Sequence, residues 1–149
     1  MAFMNKDAEQ GPKILSRIIL EVIGKPPEHL IETLKTLIKE MSEEKGITIK
    51  EDKIYEPQLI KDQKELHTTF AEIEIETVGM LPIIIVLFKY MPSHVEIISP
   101  EHISLDNHSW NEALNETTRR LHGYDEVARV IQNENAILEK RLKDLTEKQ

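Results

Sequence analysis

The apolar and polar positions along the chain divide its first hundred residues into short strand-like runs and helical stretches. Residues 14–23 are rich in β-branched and aliphatic side chains and end at Gly24. This pattern predicts a first strand that is buried on both faces and therefore central in a sheet. Pro26 and Pro27 then open a predicted helix. Its apolar side chains recur at helical spacing, and they are Leu30, Ile31, Leu34, Leu37, Ile38 and Met41.

Two more strands are predicted in the next part of the chain. Residues 47–55 form the second strand, and residues 56–65 form a polar loop interrupted by Pro57. Residues 67–78 alternate between apolar and polar side chains, which is typical of an antiparallel strand with one face in water. The apolar face carries Ala71, Ile73 and Ile75, and the polar face carries Glu72, Glu74 and Glu76.

Residues 80–91 are compatible with two interpretations. The apolar run from Ile83 to Val86 favours a strand by propensity, whereas Pro82 suits the first turn of a helix. We predict a helix, because a strand would leave the sheet with one covering helix and no crossover. Residues 94–98 then form the fourth strand, which ends before Pro100. The predicted fold is α+β with a ferredoxin-like split β-α-β order, β-α-β-β-α-β, and a four-stranded antiparallel sheet.

The chain is therefore expected to have three parts: a flexible tail at 1–13, an α+β domain at 14–105 and a C-terminal helical extension at 109–149. Ser109 and Glu112 have the spacing of a capping box, so we expect the extension to begin at Ser109. Gly123 is expected to bend or break it into two helices.

The extension carries apolar residues in a heptad repeat, which is typical of paired helices. One seam position holds Tyr124, Ile131, Leu138 and Leu145, and the other holds Leu121, Ala128, Asn135 and Leu142. An asparagine within an apolar seam fixes the register of paired helices. However, Val127, Val130 and Ile137 widen the stripe beyond a two-helix seam. Docking on its own domain and pairing with another molecule therefore both stay open.

We predict an interaction surface on this extension, in contact with the apolar helix at 80–91. Its residues are Tyr124, Val127, Ile131, Asn135, Leu138, Leu142 and Leu145, with Ile84 and Phe88 from the helix at 80–91. A parallel pair would place Glu134 opposite Glu139 of the partner subunit, so antiparallel or bundled packing is preferred. Arg119, Arg120 and His122 form a candidate polar binding surface, although the competing interpretation is that Arg119 pairs with Glu116 or Asp125 on an exposed helix.

Composition argues against several other functions. A net charge of −8 over 149 residues, without a concentrated basic face, disfavours nucleic-acid binding. The absence of cysteine removes thiolate metal sites and cysteine nucleophiles. The six histidines lack ligand spacing, and Glu72, Glu74 and Glu76 are about 7 Å apart along the strand, which is loose for a metal. We therefore expect no catalytic residues, metal or cofactor, and ion pairs from Arg17, Lys50 or Lys53 to those glutamates.

In element order alone, the chain is similar to ferredoxin-like modules, including ligand-sensing regulatory domains of the ACT kind. This likeness implies topology and not function. The leading hypothesis is a non-enzymatic module that self-associates as a homodimer, or binds another protein, through its C-terminal helices. The alternative is a small-molecule-sensing, ACT-like module. The polar start of the chain and the absence of a bilayer-length apolar run predict a cytoplasmic protein without membrane association.

Overall fold

The computed structural model describes residues 11–148 and has an α+β architecture. Within that range there are five strands and three helices, in the order β1 (Lys13–Gly24), α1 (Pro27–Ser42), β2 (Ile47–Ile54), β3 (Gln58–Leu59), β4 (His67–Val78), α2 (Leu81–Tyr90), β5 (His94–Ser99) and α3 (Asn107–Glu147). Residues 1–10 of the predicted tail at 1–13 lie outside the described residues. Pro12 accepts a backbone hydrogen bond from Gly79, with an N···O distance of 2.8 Å.

The sheet has the order β2-β4-β1-β5, and every pairing is antiparallel. The long central pair joins β1 to β4 along its whole length, with Ile18 opposite Ile73. Two strands that are far apart in sequence therefore form the middle of the sheet. The central position predicted for the first strand is confirmed.

One face of this sheet and two helices form the core. Leu34 and Met41 of α1 and Val86 and Tyr90 of α2 belong to the same buried cluster as the inward side chains of β1 and β4. The fully buried aliphatic residues from those two strands are Ile14, Ile18, Leu20, Ala71, Ile73 and Ile75. Since β-strand side chains alternate, the opposite face of the sheet carries the polar set. The predicted helix at residues 80–91 is confirmed as α2, and Pro82 lies in its first turn.

Three expectations about the fold are wrong. The sheet has five strands and not four, because Gln58 and Leu59, in the predicted loop, pair with β4 opposite Thr68 and His67. A two-residue strand is too short to show a hydrophobic period. The first strand is not buried on both faces, since Leu15, Arg17 and Ile19 are only half-buried.

The third correction concerns the C-terminal helices, which are one continuous helix, α3, of 41 residues. The chain divides into two compact units between Ala113 and Leu114, a boundary that falls inside this helix. No helix in the described part of the chain contains an apolar segment of bilayer length.

Candidate interaction surface

The second unit consists of the helical residues from Leu114 onward, and its apolar side chains are exposed. Ile131 is 50% exposed, Leu138 59% and Leu145 67%. The remaining exposed large apolar residues of this unit are Leu114, Leu121, Tyr124, Val127, Val130, Ile137 and Leu142. Contiguous exposed apolar surface on this scale is uncommon on monomeric soluble proteins and marks sites of association. We define the seam as ten residues in two sets, each with a spacing of seven. One set is Leu114, Leu121, Ala128, Asn135 and Leu142, and the other is Thr117, Tyr124, Ile131, Leu138 and Leu145.

An acidic side chain sets the start of α3. The Asp106 carboxylate accepts a hydrogen bond from the Ser109 backbone N–H at 2.8 Å, and the first backbone bond runs from Trp110 N–H to the Asp106 carbonyl. This hydrogen bond lowers the pKa of Asp106. The capping box predicted at Ser109 is therefore wrong: the cap lies three residues earlier, where aspartate is equally suited to the role.

Gly123 does not break the chain into two helices, contrary to expectation. A Cβ atom built at this position meets nothing within 4 Å, so the glycine is not required by close packing. Because the helix is continuous, the heptad spacing holds along the whole seam. The same spacing reaches back to Leu114 and Trp110, which are 58% and 48% exposed. These two residues were not predicted as part of the interaction surface, although the seven-residue interval from Leu121 and Thr117 points to them.

The candidate polar surface around Arg119 is an ion-paired cluster on one helix. Arg119 donates to Glu116 with an N···O distance of 2.6 Å, and Arg120 donates to the same carboxylate at 2.8 Å. These two hydrogen bonds, that from Arg119 first, lower the pKa of Glu116 to about 2. The expected pairing of Arg119 with Glu116 is confirmed. Farther along, Arg129 pairs with Asp125 at 3.0 Å, while His122 is exposed.

Ile84 and Phe88, the two residues predicted to contact the C-terminal helix, lie on α2 and are half-buried. Both belong to the first unit. Beyond them, Met91 ends α2 in the left-handed conformation, with φ of 46°, and is 63% exposed. Their contact with the extension stays a prediction.

The acidic face of β4 is a network of ion pairs. The Arg17 guanidinium lies 3.1 Å from the Glu72 carboxylate and 2.7 Å from that of Glu74. Lys50 lies 3.7 Å from Glu76. The prediction that basic residues on neighbouring strands face these glutamates is confirmed for Arg17 and Lys50. Lys53 instead lies over the Tyr55 ring, with its Nζ 4.6 Å from the ring centre. Within residues 11–148, no group of three or more acidic or histidine side chains is placed to hold a metal ion.

Comparison with known proteins gives one match, to a family model described as the MJ0538 family. It covers residues 16–147, which is most of the chain. This chain belongs to the MJ0538 family. No curated protein and no solved structure is similar enough to the chain to match it.

The match to the MJ0538 family takes in both compact units. It begins within β1 and reaches the last residue of α3, so the exposed seam lies inside the region that the family model describes. The long helix is therefore as much a part of the family pattern as the sheet.

Proposed function

We propose that this protein is a non-enzymatic self-association module in which two copies pair through α3. The observation that carries the proposal is the exposed apolar seam of the second unit. The α+β unit supplies a folded body, and the helix supplies the surface for association. An enzyme would need convergent reactive groups, whereas the titratable groups around Arg17 and Arg119 are engaged in ion pairs.

The energy of the seam supports association. Fully burying one Val, Leu or Ile side chain contributes roughly 1.5–3 kcal/mol. Val127, Ile131, Leu138, Leu142 and Leu145 of one copy therefore represent on the order of 10 kcal/mol as an upper estimate. Two copies bring two such sets, while association costs about 4–15 kcal/mol in lost translational and rotational freedom. The balance allows a dimer at micromolar concentration.

We propose that the first unit has a ferredoxin-like split β-α-β arrangement to which β3 is an addition. The antiparallel order β2-β4-β1-β5, with α1 and α2 in one core cluster, supports this arrangement.

We also propose a cytoplasmic location. The chain contains no cysteine, whereas small secreted domains are commonly held together by disulfides.

The experiment is a measurement of solution mass by light scattering on the full chain. We expect wild-type protein to have twice the mass of the 17.3 kDa chain at micromolar concentration. The double variant Ile131→Lys/Leu138→Lys should have the mass of one chain, because charged groups at two seam positions prevent burial of the seam.

The control is Asn133→Lys/Ala136→Lys, which adds the same charge to the same helix outside the seam. It should keep the wild-type mass. A wild-type mass equal to one chain would overturn the proposal, as would a seam variant whose mass equals that of the control.

An ACT-like sensing module is the alternative function. A shallow cavity of about 400 Å³ adjoins the turn after β1 and is lined by Lys25, Pro26, Pro27, Glu65 and His67. This is the turn at which a split β-α-β module can hold a small ligand beside a helix start. Two prolines remove backbone N–H donors there, and Glu28 adds negative charge to the first turn of α1, which weakens the alternative for anionic ligands. The alternative does not require pairing through α3, so the seam variant would then keep the wild-type mass.

A further inference from the structure

We propose that the two α3 helices pair antiparallel in one register, in which Leu121 packs against Ile131 of the partner subunit. This inference rests on the proposed function, because it specifies how the same seam associates. It follows from the order of large, small, polar and charged side chains along a helix that is continuous from Asn107 to Glu147. Paired helices pack in discrete heptad layers. The alternative registers are therefore those in which one helix is shifted by seven residues along the other.

A parallel pair places poorly matched residues together. Each seam residue would then face its own copy, so Ala128 would meet Ala128 of the partner subunit and leave a gap. Glu134 would lie beside Glu139 of the partner subunit on both sides of the pair. Within the described chain Glu134 makes no ion pair, so nothing on its own helix offsets this like-charge contact.

An antiparallel pair in the proposed register matches all layers but the outermost by size and polarity; the outermost layer places Leu145 against Asn107 of the partner subunit, at the start of α3. Tyr124 meets Ala128 of the partner subunit, so the largest central side chain faces the smallest. Thr117 meets Asn135 of the partner subunit, which pairs the two polar residues of the seam. The three remaining layers are apolar on both sides. They join Leu121 to the partner's Ile131, Leu114 to the partner's Leu138, and Trp110 to the partner's Leu142, and two-fold symmetry repeats each layer.

Charges on one side of the seam favour the same register; on the other side Asp125 faces Asp125 of the partner subunit, and each keeps its ion pair with Arg129 on its own helix. In an antiparallel pair, the residues just before the seam set that begins at Leu114 face the equivalent residues of the other helix across the interface. Arg120 then lies beside Glu134 of the partner subunit, and the reverse pair forms by symmetry. Arg120 donates through Nε to Glu116, and a guanidinium has further N–H donors for a second carboxylate. The unpaired Glu134 thus gains a cation.

Val127, one of the three residues that widen the stripe, joins the contact in this register. In this register it lies next to the two-fold axis and meets Val127 of the partner subunit. It is 56% exposed in the single chain. A valine outside the two seam positions is unexpected for a narrow two-helix contact, but here it extends the apolar contact at the centre of the pair.

Shifting one helix along the other by seven or fourteen residues loses these matches. One slip places Thr117 against Leu142 of the partner subunit and Arg120 beside the partner's Arg141. A second slip places Asn135 against Ile131 of the partner subunit and Glu134 beside the partner's Glu134. Each alternative therefore buries a polar side chain against an apolar one and brings like charges together.

The test is disulfide formation between single-cysteine variants of the full chain, which has no cysteine of its own. Leu121→Cys is mixed with Ile131→Cys, Leu138→Cys or Leu145→Cys, one per register, and oxidised after subunit exchange. We expect a disulfide only in the mixture with Ile131→Cys. Its yield is limited by the fraction of mixed dimers that random exchange of subunits produces. Each variant alone should stay unlinked, because facing Cβ atoms must approach to about 4 Å. Asn133→Cys, outside the seam, measures cross-linking by random collision.

The other outcomes separate the register from the proposed function. If Leu121→Cys links to itself, the pair is parallel, and the register is overturned while self-association stands. Linking with Leu138→Cys or Leu145→Cys instead, or a dimeric mass with no disulfide above the Asn133→Cys level, also overturns the register alone. If the reduced wild-type protein has the mass of one chain, both proposals fail.

Discussion

The hydroxyl of Tyr90 shows how one polar group links two parts of the first unit. Tyr90 is only 8% exposed, and its hydroxyl donates to the Glu44 carboxylate at 3.0 Å. Lys89 also donates to this carboxylate, and the resulting hydrogen bond lowers the pKa of Glu44. Burial, followed by the bond to Glu44, raises the pKa of Tyr90. The end of α2 is therefore held to the segment between α1 and β2 by a phenol that stays protonated.

Tyr90→Phe removes this hydrogen bond and leaves the ring in place. We expect the free energy of unfolding to fall by about 0.5–1.5 kcal/mol, the usual net contribution of such a bond. Urea denaturation measures the change. Tyr55→Phe is the matched control, because its hydroxyl bonds Glu72 at 3.2 Å on the half-exposed face and water can replace that bond. Equal losses in the two variants would contradict the argument from burial.

At the scale of elements, helices and the long strands follow their local patterns. The period of β4 is visible in sequence because its two faces have different surroundings: its apolar residues meet the core, and its glutamates meet Arg17 and Lys50. The third helix is different, because it contains a glycine and its seam is exposed. Intrinsic helix propensity and side-chain pairs such as Arg129 with Asp125 therefore matter more for α3 than for α1.

Gly123→Ala should stabilise α3 by roughly 0.5–1 kcal/mol, since alanine loses less backbone entropy in a helix than glycine does. The added Cβ meets no atom. Thermal unfolding followed by circular dichroism should show a higher midpoint. The reverse change, Ala136→Gly, serves as the control outside the seam and should lower the midpoint by a similar amount. A lower midpoint for Gly123→Ala would indicate that the helix bends at this residue.

At the scale of the whole molecule, the two compact units have different kinds of stability. The first has its own buried core, from Ile14 on β1 to Val86 on α2. The second has exposed apolar side chains along a single helix. A long helix with its apolar stripe in water gains little from tertiary packing, so its stability is expected to depend on association.

The unfolding midpoint of wild-type protein should therefore rise with protein concentration, because dimer formation stabilises the folded chain by mass action. Helical signal recorded at several concentrations measures this effect. The variant Ile131→Lys/Leu138→Lys should have a midpoint that does not depend on concentration. A concentration-independent midpoint for the wild type would argue against pairing.

The candidate surface was identified largely from sequence because its signal is a local repeat. The seven-residue spacing from Tyr124 to Leu145 identified the seam without knowledge of the fold. The errors had local causes as well. Ser109 and Asp106 are both good capping residues, and the choice between them depends on which backbone N–H groups each side chain reaches. Glycine lowers helix propensity without abolishing it, so Gly123 alone did not settle whether α3 is continuous.

The sequence by itself determined α1, α2, the long strands and the polar and apolar faces of β4, because these depend on neighbours within a few residues. Only the tertiary structure decided that β1 pairs with both β4 and β5, that Gln58 and Leu59 join the sheet, and that Tyr90 bonds Glu44. Such contacts join residues far apart in sequence. Their formation balances loop-closure entropy against burial, and neither quantity is visible in a local pattern.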